Sequence, residues 1–312
     1  MPQEQPSICW EVTEICTVEW SIYGYYPNLP VNAILCTAFA ICLILQGYQT
    51  WRYKTWSYGI AMCLGCLAEV IGYVGRILLH SNPFSSIGFQ IQICTLIIAP
   101  AFFSGAIYLT LKHICIALGP QLSLVRPHLY TWIFIACDLL SLILQGTGGG
   151  IAATAGANFP LRDQGTNVMI AGIVWQVITL FVFGGLASHF FWRLMGDGGK
   201  RMGSEAQEVW AGGKFKVFIL SLAVAFTMIF FRCVYRIAEM AGGWANEIMR
   251  DEISFVILEG VVCLVAAILL TIIHPGSHFP QMRTNYAKPT PLHNTSEDTS
   301  DVEMKPRMET RN

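Results

Sequence analysis

Seven ionisable side chains stand in stretches of sequence that are otherwise almost free of charge: Glu69 and Arg76, Asp138, Arg232, Arg236 and Glu239, and Glu259. Carboxylates and guanidinium groups in such settings bind cations, hand on protons or pair with one another. Each costs about 2.5–3.5 kcal/mol at the centre of a membrane helix if it faces lipid, so these groups must face each other or a hydrated interior. Four are acidic and three basic, which makes a buried network of them nearly self-neutralising. Glu69 and Arg76, Asp138 and Gln145, and Arg232 and Glu239 are each seven positions apart. Two helical turns return each pair to one side of its helix. The same spacing is about 10 Å of rise, too far for direct contact, so partners must come from neighbouring helices. Arg236 and Glu239, three apart, can pair locally. Spacing alone leaves two readings open: ion pairs that fix helix packing, or a polar cavity or relay.

The elements that position these groups are set by where charge is missing. Of 312 residues, 54% are hydrophobic and 12% are Asp, Glu, Lys or Arg, about half the charge usual in soluble domains. The uncharged gaps 20–51 and 77–111 hold 32 and 35 residues, and about 20 apolar residues cross a hydrocarbon core. This composition argues against a soluble enzyme. The fold class is therefore an all-α integral membrane protein, a seven-transmembrane helix bundle with spans of about 29–47, 57–78, 88–111, 128–148, 167–192, 215–239 and 253–274. Period-two alternation is absent, which disfavours a β-barrel. With the N-terminus outside, the inner segments carry 14 Lys and Arg and the outer ones only Arg162 and Arg250. The orientation is N-terminus outside and C-terminus cytosolic, and the expected location is the plasma membrane.

Residues 1–28 form an extracellular segment without the apolar core of a signal peptide. Cys9 and Cys16 lie in it, where an oxidising compartment would permit a disulfide, and the sequence leaves open whether they pair. Cys63 and Cys66 share a helix face and read as small packing residues rather than a redox pair. Residues 275–312 read as a disordered cytosolic tail, in which the Asn294 sequon would go unused.

Gly65, Ala68, Gly72 and Gly75 make a small-residue face around Glu69 that lets another backbone come close. Pro100 removes a hydrogen bond and is expected to kink the third span beside Phe102 and Phe103. Tyr73, Pro100, Phe103 and Tyr108 are the candidates for lining a cavity. The glycine run after Gln145 reads as too flexible to continue the fourth helix. It lacks the phosphate-binding pattern, which occurs nowhere in the chain.

Other seven-span classes lack their residues. The seventh span has no lysine for a retinal Schiff base, six of the seven histidines lie at span ends or in loops, and no Asp-Arg-Tyr or Asn-Pro-x-x-Tyr motif is present. No catalytic set, metal site, cofactor or nucleic-acid partner is implied, and the oligomeric state is left open.

Residues 23–28 (YGYYPN), 69–77 (EVIGYVGRI), 99–111 (APAFFSGAIYLTL), Gln145 with its glycine run, and 231–239 (FRCVYRIAE) occur in the order found in the fungal RTA-like, or lipid-translocating exporter, family. The resemblance covers roughly residues 23–275. It implies a fungal seven-span protein whose relatives are described as sphingoid long-chain-base exporters, aminosterol-resistance proteins and, in one branch, a porphyrin transporter. Two departures are an outer segment without a sequon and Glu259 where an Asp is expected. The resemblance gives the embedded carboxylates a purpose. A sphingoid base is a cationic amine on an apolar tail, and Glu69, Asp138, Glu239 and Glu259 would form an anionic path for it. The expected function is thus export of amphipathic lipids or lipid-like toxicants, with membrane lipids and an amphipathic small molecule as partners. The alternative is a receptor-like regulator of lipid stress acting through the tail and the 194–214 loop.

Overall fold

Asn28 starts the first long helix: its side chain accepts a hydrogen bond from the Val31 N–H at 3.2 Å, and the proline in the first turn lacks an N–H that would otherwise need a partner. Ser85 caps the third helix in the same way through the Gly88 N–H. The helices are α1 (Leu29–Tyr53), α2 (Trp56–Ser81), α3 (Ser86–Leu118), α4 (Pro127–Thr154), α5 (Phe159–Gly196), α6 (Ser204–Ala211), α7 (Gly213–Ala241), the short turns α8 (Glu247–Arg250) and α9 (Glu252–Phe255), α10 (Val262–Ile272) and α11 (Pro275–His278). A π-helical stretch, Val256–Val261, joins α9 to α10, so residues 252–272 act as one long element. This computed structural model describes residues 9–282 except 15, 120, 122, 125, 156–157, 197–203, 244–245 and 280–281.

Seven of the described helices are long and apolar enough to cross a membrane, and the chain is a multi-pass membrane protein. They overrun the apolar segments read from sequence: α3 has 33 residues and α5 has 38. Helix α2 lies against α1 and α3, α4 against α5, α7 against α5 and α10, and α10 returns to α1. The small-residue face of α2 is the surface on which α3 packs. A Cβ on Gly75 would stand 2.8 Å from the Gln92 nitrogen, and one on Gly72 2.5 Å from Leu96 Cδ2.

Two expectations need correction. The glycine run does not end the fourth helix, because α4 continues through Gly150 to Thr154. A Cβ on Gly148 would lie 2.4 Å from the Met169 nitrogen, and one on Gly165 2.5 Å from the Ala152 nitrogen. Close α4–α5 packing therefore offsets the poor helix propensity of glycine. Nor does the ordered chain stop at residue 274. Pro275–His278 form a turn, and Phe279 is buried beside Phe215 and Phe218 with ring centroids at 5.5 and 6.3 Å. The tail expected beyond Met282, with its Asn294 sequon, lies outside the described residues, as does most of the 194–214 loop before α6.

Candidate functional site

Helix α3 carries Pro100 without a break, and the missing N–H has a specific consequence. The residue-96 carbonyl would ordinarily accept from the N–H of residue 100, and proline has none to give. Leu96 O accepts instead from Arg232 Nη2 on α7, which also donates to Glu259 Oε1 in the π-helical stretch. Pro100 thus frees an acceptor for a buried guanidinium. The wide turn of a π-helix re-aims the side chains it carries. Gly260 then permits the close approach: a Cβ there would sit 2.8 Å from both Leu35 Cδ1 and the Tyr73 hydroxyl.

Glu69 completes this centre from α2. It is fully buried, and neither of its oxygens meets hydrogen-bond geometry with a described residue. Its electrostatic neighbours are Arg232, Glu259 and the Cys263 thiol. Glu259 Oε2 also lacks a donor among the described residues. Arg236 pairs with Glu239 across one turn at 2.6 Å, as the spacing predicts, and both are buried.

Toward the end of the bundle where α2 finishes, Arg76 is buried at 0% exposure. Its guanidinium carbon lies 3.8 Å from the Phe255 ring centroid and 5.2 Å from that of Tyr23. Nη2 donates to the Tyr25 hydroxyl at 2.7 Å and stands 3.7 Å from Glu252 Oε1. Gln92 donates to the Tyr23 hydroxyl at 2.7 Å. Burial pushes both phenols above the usual tyrosine value, with Arg76 opposing it. They therefore stay neutral at ordinary pH, and the segment before α1 seals this end with aromatic rings. In the same segment Cys9 and Cys16 are joined by a disulfide, Cα atoms 5.9 Å apart.

Asp138 on α4 forms a second centre. Ser104 donates to its Oδ2 at 2.7 Å, while Oδ1 has no donor in hydrogen-bond geometry among the described residues. The Tyr108 hydroxyl faces it, and the Cys233 thiol lies within electrostatic range of Asp138, Arg232 and Glu259. Gln145 does not join either centre, because it donates to Gln176 Oε1 on α5 at 3.1 Å. The structure therefore brings Glu69, Arg232 and Glu259 together, places Arg236 and Glu239 and then Arg76 beyond them, and sets Asp138 apart. Among the described residues, Glu69 and Asp138 are the buried carboxylates that form no ion pair.

Sequence reasoning did not single out Ser104, Cys233, Cys263, Tyr23, Tyr25, Gln92 or Glu252. Ser104, Cys233 and both tyrosines stand inside the motifs named above, and Cys263 follows Glu259 by one helical turn, which was the available signal. Tyr73, Phe103 and Tyr108 are fully buried in the helix packing. An open cavity lies between α3, α5, α6 and α7, with a volume of about 730 Å³ and Ile107, Phe183, Gly184, Trp210 and Phe226 among its walls. Among the described residues no group of three His, Cys, Asp or Glu could hold a metal ion.

Comparison with known proteins bears on most of the chain. Residues 62–282 match the family described as RTA1 like protein. The chain is similar to the sphingoid long-chain base transporter RSB1 of Saccharomyces cerevisiae, 31% identical over 91% of this chain and 81% of the relative. It is also similar to protein RTM1 of the same yeast, 27% identical over 80% of this chain and 77% of that one. The lipid-translocating exporter-like protein RTA1 of Leptosphaeria maculans is 25% identical over 83% of this chain and 52% of its own length. No solved structure matches. With the helix bundle, the motif order and these relatives in agreement, the chain belongs to the RTA1-like family.

Proposed function

We propose that this protein moves amphipathic amines across a fungal plasma membrane, with Glu69 and Asp138 receiving the cationic headgroup. The observation that carries the reading is the imbalance of the buried network: its arginines form ion pairs with Glu259, Glu239 and Glu252, which leaves Glu69 and Asp138 without an ion pair of their own among the described residues. An uncompensated carboxylate in hydrocarbon is costly, and an ammonium group passing through would relieve that cost. The names of the yeast and Leptosphaeria relatives support lipid export as the class of activity. The excess of Lys and Arg on one side, and a disulfide in the segment before α1, support an outer N-terminus and a cytosolic C-terminus. Terminal tags probed in intact and permeabilised cells test that orientation.

The functional test is transport of a long-chain amine into or out of vesicles carrying the purified protein. Wild type should move it, and Glu69→Gln and Asp138→Asn should abolish the movement while expression and membrane delivery stay normal. Wild-type protein that moves none of several amphiphiles would refute the reading.

A further inference from the structure

The cavity between α3, α5, α6 and α7 is not used by the charged centres. It lies at the end of the bundle where α3 and α5 finish and α7 begins. Its lining is aliphatic and aromatic apart from Ser188 and Thr227, and the Thr227 hydroxyl is spent on the Ala223 carbonyl at 2.8 Å. A recess with so few polar groups to orient a ligand takes an apolar group. About 730 Å³ is within the range of small-molecule sites. The opening is sideways: Phe181, Gly185, Ser188, Ala223 and Thr227 line it and are exposed on the lipid-facing flanks of α5 and α7.

The rings of Phe183 and Tyr108 stand between this recess and Asp138. Phe183 is a cavity wall, and its ring lies 4.4 Å from that of Tyr108 and 5.2 Å from that of Phe134. The Tyr108 hydroxyl faces Asp138, whose Oδ1 has no donor in hydrogen-bond geometry although the residue is only 4% exposed. An apolar recess open to lipid and an anionic group just behind its wall match the two ends of one molecule.

We propose that the cavity holds the alkyl chain of a single-chain, long-chain amine whose ammonium pairs with Asp138. The site deepens the transport reading and rests on it for the ligand class. An alkyl chain gains little by leaving lipid for an apolar recess, since lipid tails are as apolar as leucine. The recess therefore supplies shape for the tail, and the carboxylate supplies preference for a cationic head. Gly184 and Gly185 keep the wall thin. A Cβ on Gly184 would stand 2.9 Å from the Phe226 ring, whereas one on Gly185 meets nothing within 4 Å. Gly185→Leu thus adds side chain at the mouth of the recess from a position whose Cβ has open space around it.

The test uses the full chain in phosphatidylcholine vesicles with a long-chain amine bearing a photoreactive diazirine in the distal half of its chain. Labelled peptides should map to residues 184–188 and 222–227. Unlabelled amine should compete far better than lysophosphatidylcholine, a single-chain lipid without a free amine, and Asp138→Asn should remove that preference. Gly185→Leu should lower labelling several-fold at an unchanged melting temperature. Label spread evenly over the lipid-facing sides of α1 and α4, or wild-type labelling of the Gly185→Leu protein, would overturn the site. Equal competition by lysophosphatidylcholine would overturn the assignment of an amine. Transport that persists without labelling at the cavity removes this site alone; specific labelling with no transport removes the transport reading and leaves the site standing.

Discussion

At the scale of single residues, the two glutamates of the central cluster play unlike parts. Glu259 compensates Arg232, so Glu259→Gln leaves a guanidinium uncompensated in the core and should cost about 3–5 kcal/mol. Glu69 has no donor in hydrogen-bond geometry to lose and attracts Arg232 only at longer range, so Glu69→Gln should cost much less than Glu259→Gln. Thermal unfolding of the two purified variants checks the contrast, and a Glu69→Gln protein as weakened as Glu259→Gln would count against the assignment. The seven embedded charges were legible in the sequence because apolar surroundings make each conspicuous. Apart from Arg236 with Glu239, who pairs with whom was not. The acceptors that decide it include a backbone carbonyl freed by Pro100 and hydroxyls such as Ser104, and neither carries a charge that a pattern could reveal.

At the scale of elements, close contact between α4 and α5 is the feature most open to trial. Gly148→Ala would push a methyl group to 2.4 Å from the Met169 nitrogen, and separating two backbones costs about 1–3 kcal/mol or more. Gly146→Ala and Gly150→Ala meet nothing within 4 Å and should instead gain up to about 1 kcal/mol in helix propensity. Melting temperatures moving in opposite directions for the two classes would bear this out; equal shifts would contradict it. The seven long helices could be read from apolar length alone. Their ends could not, since α4 outlasts its glycines where α5 presents Gly165 to Gly148 and Ala152. The π-helical turn that carries Glu259 had no local signal either.

For the whole molecule, the last described residues decide where the chain can be cut. Phe279 is 1% exposed among the aromatic rings of α7, and removing a buried Phe side chain costs about 3–5 kcal/mol. A chain ending after Met282 should keep both its melting temperature and its transport, while one ending after His274 should lose stability. Loss of function on removing only residues 283–312, with the fold intact, would favour the regulatory reading over the transporter. The sideways opening of the α5–α7 recess has a consequence for any affinity measured on this protein. A ligand that reaches its site from within the bilayer is governed by its mole fraction among lipids, not by molarity in the buffer. Adding empty vesicles at a fixed total amount of amine should therefore dilute the ligand and lower occupancy, although the aqueous volume has not changed.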